Sequence, residues 1–320
     1  MRPFQDGRSS SSYQILGRAG KGVYDPIRRR LLLMGTGASD GSGQNSGFGA
    51  YQYNTLAIFD EATNAWSALR AFRDPGEGTG ARAIGHIYDG NAIDVAGRRL
   101  YKPKFGDDGE SYIYVYDLDS GAMRAGIPRS PGTTQQNWAS LEFIPTRGAA
   151  GRLWFAAYAS SDALRIWEYD VAGGTWSLIV ANAAFGVHGG VDPGGGPMMS
   201  YSARANGGAG GVLVGHRGGA WIANVVGTPT LTAIALPPSG PIDIAVSGVV
   251  RDPVGSGWLR FAGGSTVHRW NGSAWVAVAT TGTGPGGDFA VYPLDEYGAV
   301  YIVHTSNIAA NPTVGRVFKA

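Results

Sequence analysis

Three observations predict an all-β fold of six four-stranded antiparallel sheets set radially, a six-bladed β-propeller. Two short hairpin patterns alternate along the 320 residues. They repeat six times, at about 53 residues per unit, within the range of blade-type repeats. Apolar residues alternate at period two, and Gly or Pro interrupts every longer stretch, so no segment carries a helical period.

The first pattern is an Asp or Asn six residues ahead of an apolar residue. Asp25 precedes Leu31, Asp94 precedes Leu100, Asn206 precedes Val212 and Asp252 precedes Trp258. Asp295 stands five before Val300, and Leu153 keeps the shape without the acid. Each reads as strand, tight turn, strand: Asp, Pro and Gly supply the turn, and the apolar residues supply the strands. The anchors Leu31, Leu100, Leu153, Val212, Trp258 and Val300 are 69, 53, 59, 46 and 42 residues apart.

The second pattern is an aromatic followed by Asp or Asn, a polar turn, and a Trp. It runs Phe59-Asp60 to Trp66, Tyr169-Asp170 to Trp176 and, shortened, Trp270-Asn271 to Trp275. Tyr116-Asp117 leads to Met123, with Met in the Trp position, and the fourth unit has no such element. Two hairpins per unit make a four-stranded blade. Radial repetition leaves only short, protected edges. The aromatic-Asp-turn-Trp half repeat resembles the kelch repeat of galactose-oxidase-like propellers, as does the Gly263-Gly264 pair. That resemblance implies the fold. The family's copper-radical site needs a Cys cross-linked to Tyr, and the chain has no Cys.

The expected domain organisation is an N-terminal extension at 1–11 and a single propeller over 12–320. The last unit supplies three strands, so Ser12–Leu16 is expected to complete the last blade and lock first to last, because an open array frays at its ends.

Composition excludes several classes. Gly is 52 of 320 residues, against a usual share of about 7%. Charged residues make up 16% and the formal net charge is +2. The charges are scattered, so a nucleic-acid partner is not expected. No apolar run approaches the ~18 residues of a membrane span, and MRPFQDGRSSSS lacks the apolar core of a signal peptide. Synthesis in a cytoplasm, with a virion as a further location, is the expectation. Without Cys there is no disulfide and no thiolate metal site.

Function is expected on the face that carries the blade-to-blade and mid-blade connections, because these are long and Gly-rich: 35–51, 72–85, 128–138 and 182–199. Long loops on a rigid scaffold are where function concentrates. The candidate ligand- or partner-binding residues are therefore Arg73, Asp74, Asp107, Asp108, Gln135, Gln136, Trp138, His188 and Asp192. Trp138 ends a polar loop, and His188 lies in a loop near Asp192, a pairing suited to acid–base work. Gly37-Ala38-Ser39-Asp40-Gly41 fits G-x-S-x-G, but the Gly-rich residues after it cannot make the helix of a nucleophile elbow. Asp117–Gly121 resembles the start of a calcium loop, but Pro128 stands where the Glu ligand would be, so it reads as a hairpin turn. The five His residues show no metal-ligand spacing. His268 and His304 fall in strands and read as packed residues. Trp66, Trp154, Trp176, Trp258 and Trp275 read as core between blades.

No complete catalytic set, no metal site and no cofactor is expected. The leading expectation is a non-catalytic structural or interaction module, a phage tail or tail-tip component, which binds a protein partner, a receptor or itself through the long-loop face. The alternative is a carbohydrate-binding or carbohydrate-active propeller, a lyase or hydrolase, with a glycan on the same face. A glycosidase needs two carboxylates roughly 5–10 Å apart, and an enzyme of this fold is expected to show converging, pKa-perturbed groups at its centre.

Overall fold

The computed structural model describes residues 21–34, 55–70, 89–103, 112–128, 130–131, 135–158, 164–181, 185, 196–216, 219–240, 242, 247–262, 266–280, 289–305 and 313–319. These form six antiparallel sheets, each built from strands in chain order. Blade 1 is β1 (Val23–Asp25), β2 (Arg30–Met34), β3 (Thr55–Asp60) and β4 (Ala65–Arg70). Blade 2 is β5 (Ala92–Asp94), β6 (Arg99–Pro103), β7 (Tyr112–Asp117) and β8 (Met123–Pro128). Blade 3 is β9 (Gln135–Ile144), β10 (Arg152–Tyr158), β11 (Leu164–Asp170) and β12 (Thr175–Val180). Blade 4 is β13 (Met198–Ser202), β14 (Gly211–His216), β15 (Gly219–Asn224) and β16 (Leu231–Ile234). Blade 5 is β17 (Ser247–Arg251), β18 (Trp258–Ala262), β19 (Thr266–Trp270) and β20 (Trp275–Thr280). Blade 6 is β21 (Phe289–Leu294), β22 (Ala299–Thr305) and β23 (Thr313–Lys319). Apart from two short 3₁₀ turns, the described residues contain no helix, and none is long and apolar enough to cross a membrane.

The predicted six-bladed propeller is the observed fold. Its hydrophobic core is six separate cores, one per blade interface. The sequence anchors mark them: Leu31, Leu100, Leu153, Val212, Trp258 and Val300 each sit in a different core, packed toward the preceding blade. The next residue faces the following blade, as Leu32 and Tyr101 do. This follows from the period-two pleat. Second strands are covered on both faces, so they read as continuous apolar runs such as Leu31–Met34.

The first strands β1, β5, β9, β13, β17 and β21 line the axis and touch in cyclic order, with β21 back against β1. The seam is an ordinary interface, in which Tyr24, Leu31, Leu33 and Phe59 of blade 1 pack on Tyr292, Tyr301 and Val303 of blade 6. Gly22 donates its N–H to the Val291 carbonyl at 3.2 Å. A Cβ on Gly22 would stand 2.0 Å from the Tyr292 ring, so only glycine lets the two chains approach there. Ser12–Leu16, expected as the fourth strand of blade 6, lies outside the described residues.

The aromatic-Asp-Trp pattern is a tight turn held by a side-chain carbonyl or carboxylate. Asp60 Oδ1 accepts from Ala62 N and Thr63 N, Asp117 Oδ1 from Asp119 N and Ser120 N, Asp170 Oδ1 from Ala172 N and Gly173 N, and Asn271 Oδ1 from Ser273 N and Ala274 N, all between 2.8 and 3.3 Å. This Asx turn is why Asp or Asn recurs there. The flanking aromatics pair across the hairpin: Phe59 on Trp66 at 5.4 Å, Tyr169 on Trp176 at 5.1 Å and Trp270 on Trp275 at 5.6 Å between centroids. Trp154, Trp258 and Trp275 are buried as expected, whereas Trp66 and Trp176 are only half-buried. Blade 4 uses Asn224, which holds its turn through Val226 O at 2.7 Å and Thr230 Oγ1 at 2.8 Å.

Candidate functional site

Most of the sequence-predicted site lies outside the described residues: Arg73, Asp74, Asp107, Asp108, His188 and Asp192, together with the G-x-S-x-G segment. One correction falls within them. The polar stretch expected as loop through Trp138 is strand from Gln135 onward, and Gln135, Gln136 and Trp138 begin β9. Gln135 pairs with Tyr158 across a register shift, so ten consecutive residues form the innermost strand of blade 3. A run of Gln and Asn reads as loop by composition, and the neighbouring strand overrides it.

The described residues instead bring a polar group together on the axis. Lys21 stands just before β1, bridged in parallel to Val291 of blade 6. Its side chain crosses the ring to partners on other blades. Nζ donates to the carbonyls of Leu141 at 3.1 Å and Met199 at 3.2 Å, ion-pairs with Glu142 Oε2, and stands 3.8 Å from Asp89 Oδ1. Asp89, just before β5, is fully buried. Its Oδ2 accepts from Ser140 Oγ and, at 2.7 Å, from the Met199 N–H. Its carbonyl accepts from Leu141 N at 3.1 Å. Asn91 alongside is fully buried too, and its Oδ1 accepts from Met34 N at 3.1 Å. Blades 1 to 4 therefore meet in one knot of charge.

Two polar atoms in this knot lack hydrogen-bond partners, Asp89 Oδ1 and Asn91 Nδ2. A buried polar atom without a partner costs on the order of 1–3 kcal/mol, so fold stability alone does not favour it. Burial pushes Asp89 up to about 7, against the pull of Lys21, the Met199 N–H and Ser140, and nearby Glu142 pushes the same way. Burial disfavours the Lys21 ammonium as well, but Asp89 and Glu142 outweigh it, and the net direction is upward. Lys21 therefore stays charged, with Glu142 in direct contact with it. Asp89 is the group that holds a proton near neutrality, and its Oδ1 accepts no hydrogen bond and stands 3.8 Å from the Lys21 ammonium.

Other titratable groups serve the frame. Lys102 is buried between blades 1 and 2, donates to the Pro103 carbonyl at 3.0 Å, and is pushed down to about 7 by burial. His268 is buried beside Ser239, as its strand position predicts, and burial lowers its pKa. No group of three or more His, Asp or Glu side chains that could hold a metal ion occurs among the described residues.

Sequence reasoning missed Lys21, Asp89 and Glu142. For Glu142 a signal existed: an acid between the apolar residues Leu141 and Phe143 in a strand. A charge in that setting needs a buried partner.

Comparison with protein-family models gives no match, and comparison with curated proteins gives none either. Solved structures do resemble the chain. An alpha-L-arabinanase from Penicillium chrysogenum, complexed with arabinobiose, aligns with a TM-score of 0.59 and 12% identity, over 100% of this chain and 98% of that one. At that identity the likeness concerns the fold. A TolB structure from Acinetobacter baumannii aligns with a TM-score of 0.43 and 11% identity, over 82% of this chain and 54% of that one, and carries no argument.

Proposed function

We propose that this chain is a carbohydrate-active propeller that hydrolyses a glycosidic bond at its axis, with Asp89 and Glu142 as its paired carboxylates and Asp89, fully buried in this structure, as the proton donor that substrate must uncover. The observation that carries the reading is the convergence of these two acids on the single ammonium of Lys21. Two carboxylates that share one ion-pair partner lie at most about 8 Å apart. That separation is within the range used by paired glycosidase carboxylates. The raised proton affinity of Asp89 fits as well, since a glycosidase needs one acid protonated at working pH. Lys21 is a positioning residue, which fixes Glu142 and sets the field around Asp89. The arabinanase of similar shape supports the reading only through its printed activity, and makes arabinan the first substrate to try. The kelch-type resemblance of the half repeats bears on the fold and supplies no residue to this site.

The test is release of reducing ends from a panel of arabinan, xylan, galactan and pectin by the purified full chain. Release from at least one is expected. It should be lost in Asp89→Asn and in Glu142→Gln while both variants stay folded, and it should fall as pH rises through about 7, where Asp89 loses its proton. A folded chain that releases nothing from the panel overturns the proposal. It would return the reading to a non-catalytic module that binds a protein partner or itself, with the virion component as its specific form.

A further inference from the structure

Blades 1, 2 and 3 begin their second strands alike, with Arg30, Arg99 and Arg152. Each stands directly opposite an Asp that ends the third strand, Asp60, Asp117 or Asp170. In blades 1 and 3 the pair closes, Arg30 on Asp60 and Arg152 on Asp170, both at 2.8 Å. Blade 2 differs by one residue of the outer strand. Where blades 1 and 3 carry Ser67 and Ser177, blade 2 carries Arg124. Arg124 takes the Asp117 carboxylate for itself.

Arg99 is left facing the interface with blade 3, and its Nε is buried without a hydrogen-bond partner. The Tyr101 hydroxyl lies beside the Arg99 guanidinium, is buried, and meets no other hydrogen-bonding group. Both line a cleft of about 300 Å³ whose other walls include Arg124, Ile127, Tyr169 and Val171. Asp94 of β5 is the other acid opposite Arg99, so two guanidinium groups and two carboxylates meet at a concave, partly aromatic surface. It lies near the hairpin turns, away from the axial acids.

We propose that this cleft binds a small carboxylate ligand of single-sugar size. The Arg99 guanidinium edge takes the carboxylate, Tyr101 donates its hydroxyl, and the ligand's ring lies against Tyr169. The planar fork of Arg matches a carboxylate through two parallel N–H bonds, and such charge-assisted pairs are the strong ones. The cleft is at the small end of ligand pockets, room for one ring and little more. Burial pushes Tyr101 up to about 12, so its hydroxyl keeps the proton it would donate, even with the Arg99 guanidinium alongside. The inference is independent of the axial reading, and Asp89→Asn is expected to leave this binding unchanged.

The experiment is titration of the full chain with glucuronate, followed by calorimetry and ligand-observed NMR, with glucose and inorganic phosphate as the other arms. Saturable glucuronate binding is expected, at least about tenfold tighter than either control. Arg99→Gln should weaken it by about tenfold or more. Arg124→Ser is the sharper variant. It installs the residue of the neighbouring blades and frees Asp117 to pair with Arg99, so binding should be lost although a positive charge nearby is all that was removed and the fold is kept. Thermal unfolding of each variant checks the fold. Glucuronate bound no tighter than glucose overturns the site. Phosphate bound as tightly as glucuronate overturns the carboxylate class. Wild-type affinity in Arg124→Ser overturns the exchange of partners on which the site rests.

Discussion

At the hairpin turns, Asp60, Asp117 and Asp170 are held by backbone N–H groups two and three residues further along the chain. At the axis, Asp89 is held by Ser140 and Met199, 51 and 110 residues away. The turn acids are lowered from the ordinary carboxylate value, by their own turn N–H groups for Asp117 and Asp170 and by Arg30 for Asp60. Asp89 is raised, by burial. A carboxylate at a turn meets water and its own backbone as soon as the hairpin forms. A carboxylate on the axis meets its partners only once four blades have closed around it. The turns can thus form blade by blade, whereas the axial knot depends on the ring.

The sharpest way to break this contrast is Lys21→Met. It removes the ammonium that Glu142 and Asp89 share, and leaves Glu142 buried beside an apolar chain. Loss of one partner from a buried ion pair costs about 3–5 kcal/mol. Denaturant unfolding should show that loss in the midpoint with little change in the slope. A change below about 1 kcal/mol would class the pair with surface ion pairs and put the axial knot in contact with water.

Smaller, and specific to pH, is the effect of Asp89 itself. Its folded pKa is above its unfolded one, so the folded chain binds a proton between about 4 and about 7 that the unfolded chain has released. Stability from this group is therefore fully present below about 4 and is lost as pH rises to about 7. The turn acids work in the opposite direction and in another window. Their contribution is present above the ordinary carboxylate value of about 4 and is lost as pH falls below it. His268, lowered by burial, also opposes Asp89, around the ordinary histidine value of about 6.5. The clean measurement is therefore the difference between the wild type and Asp89→Asn across pH 4 to 7. The wild type should lose stability relative to the variant as pH rises. Parallel curves would place Asp89 in water.

The same contrast explains what the sequence could reveal. The blades were legible because their determinants are local. An Asp a fixed distance from Leu31, Leu100 or Trp258, and an aromatic–Asp–Trp run, each specify one hairpin, and six hairpin pairs require a ring. The blade 4 turn was missed because Asn224 follows Ala223 rather than an aromatic, although Asn224 and Thr230 supply the same chemistry. The axial knot was illegible for a different reason. Lys21 and Asp89 stand in short extended approaches to their strands, with nothing nearby to mark them. Their meaning comes from Leu141, Glu142 and Met199, which the fold alone brings near. The Arg99 cleft sits between these cases. Arg124 in place of the Ser of its sister blades was visible in the sequence, but its consequence needed the register of three strands.

The smallest expected effect tests the local half of the comparison. Asn271 closes the outer hairpin of blade 5, and its Oδ1 accepts from Ser273 N at 3.0 Å and Ala274 N at 2.9 Å. Asn271→Ala leaves those N–H groups to water, because the turn is exposed, so no buried donor is orphaned. The loss should be about 1 kcal/mol, the net worth of a typical hydrogen bond, and not the several kcal/mol expected for Lys21→Met. The Trp270–Trp275 pair across the same hairpin holds the register meanwhile, with centroids 5.6 Å apart. Hydrogen exchange should therefore speed up at Ser273 and Ala274 and stay slow along β19 and β20. If exchange rose through the whole of blade 5, turn and blade would form together, and the blade-by-blade independence drawn from the turn acids would not hold.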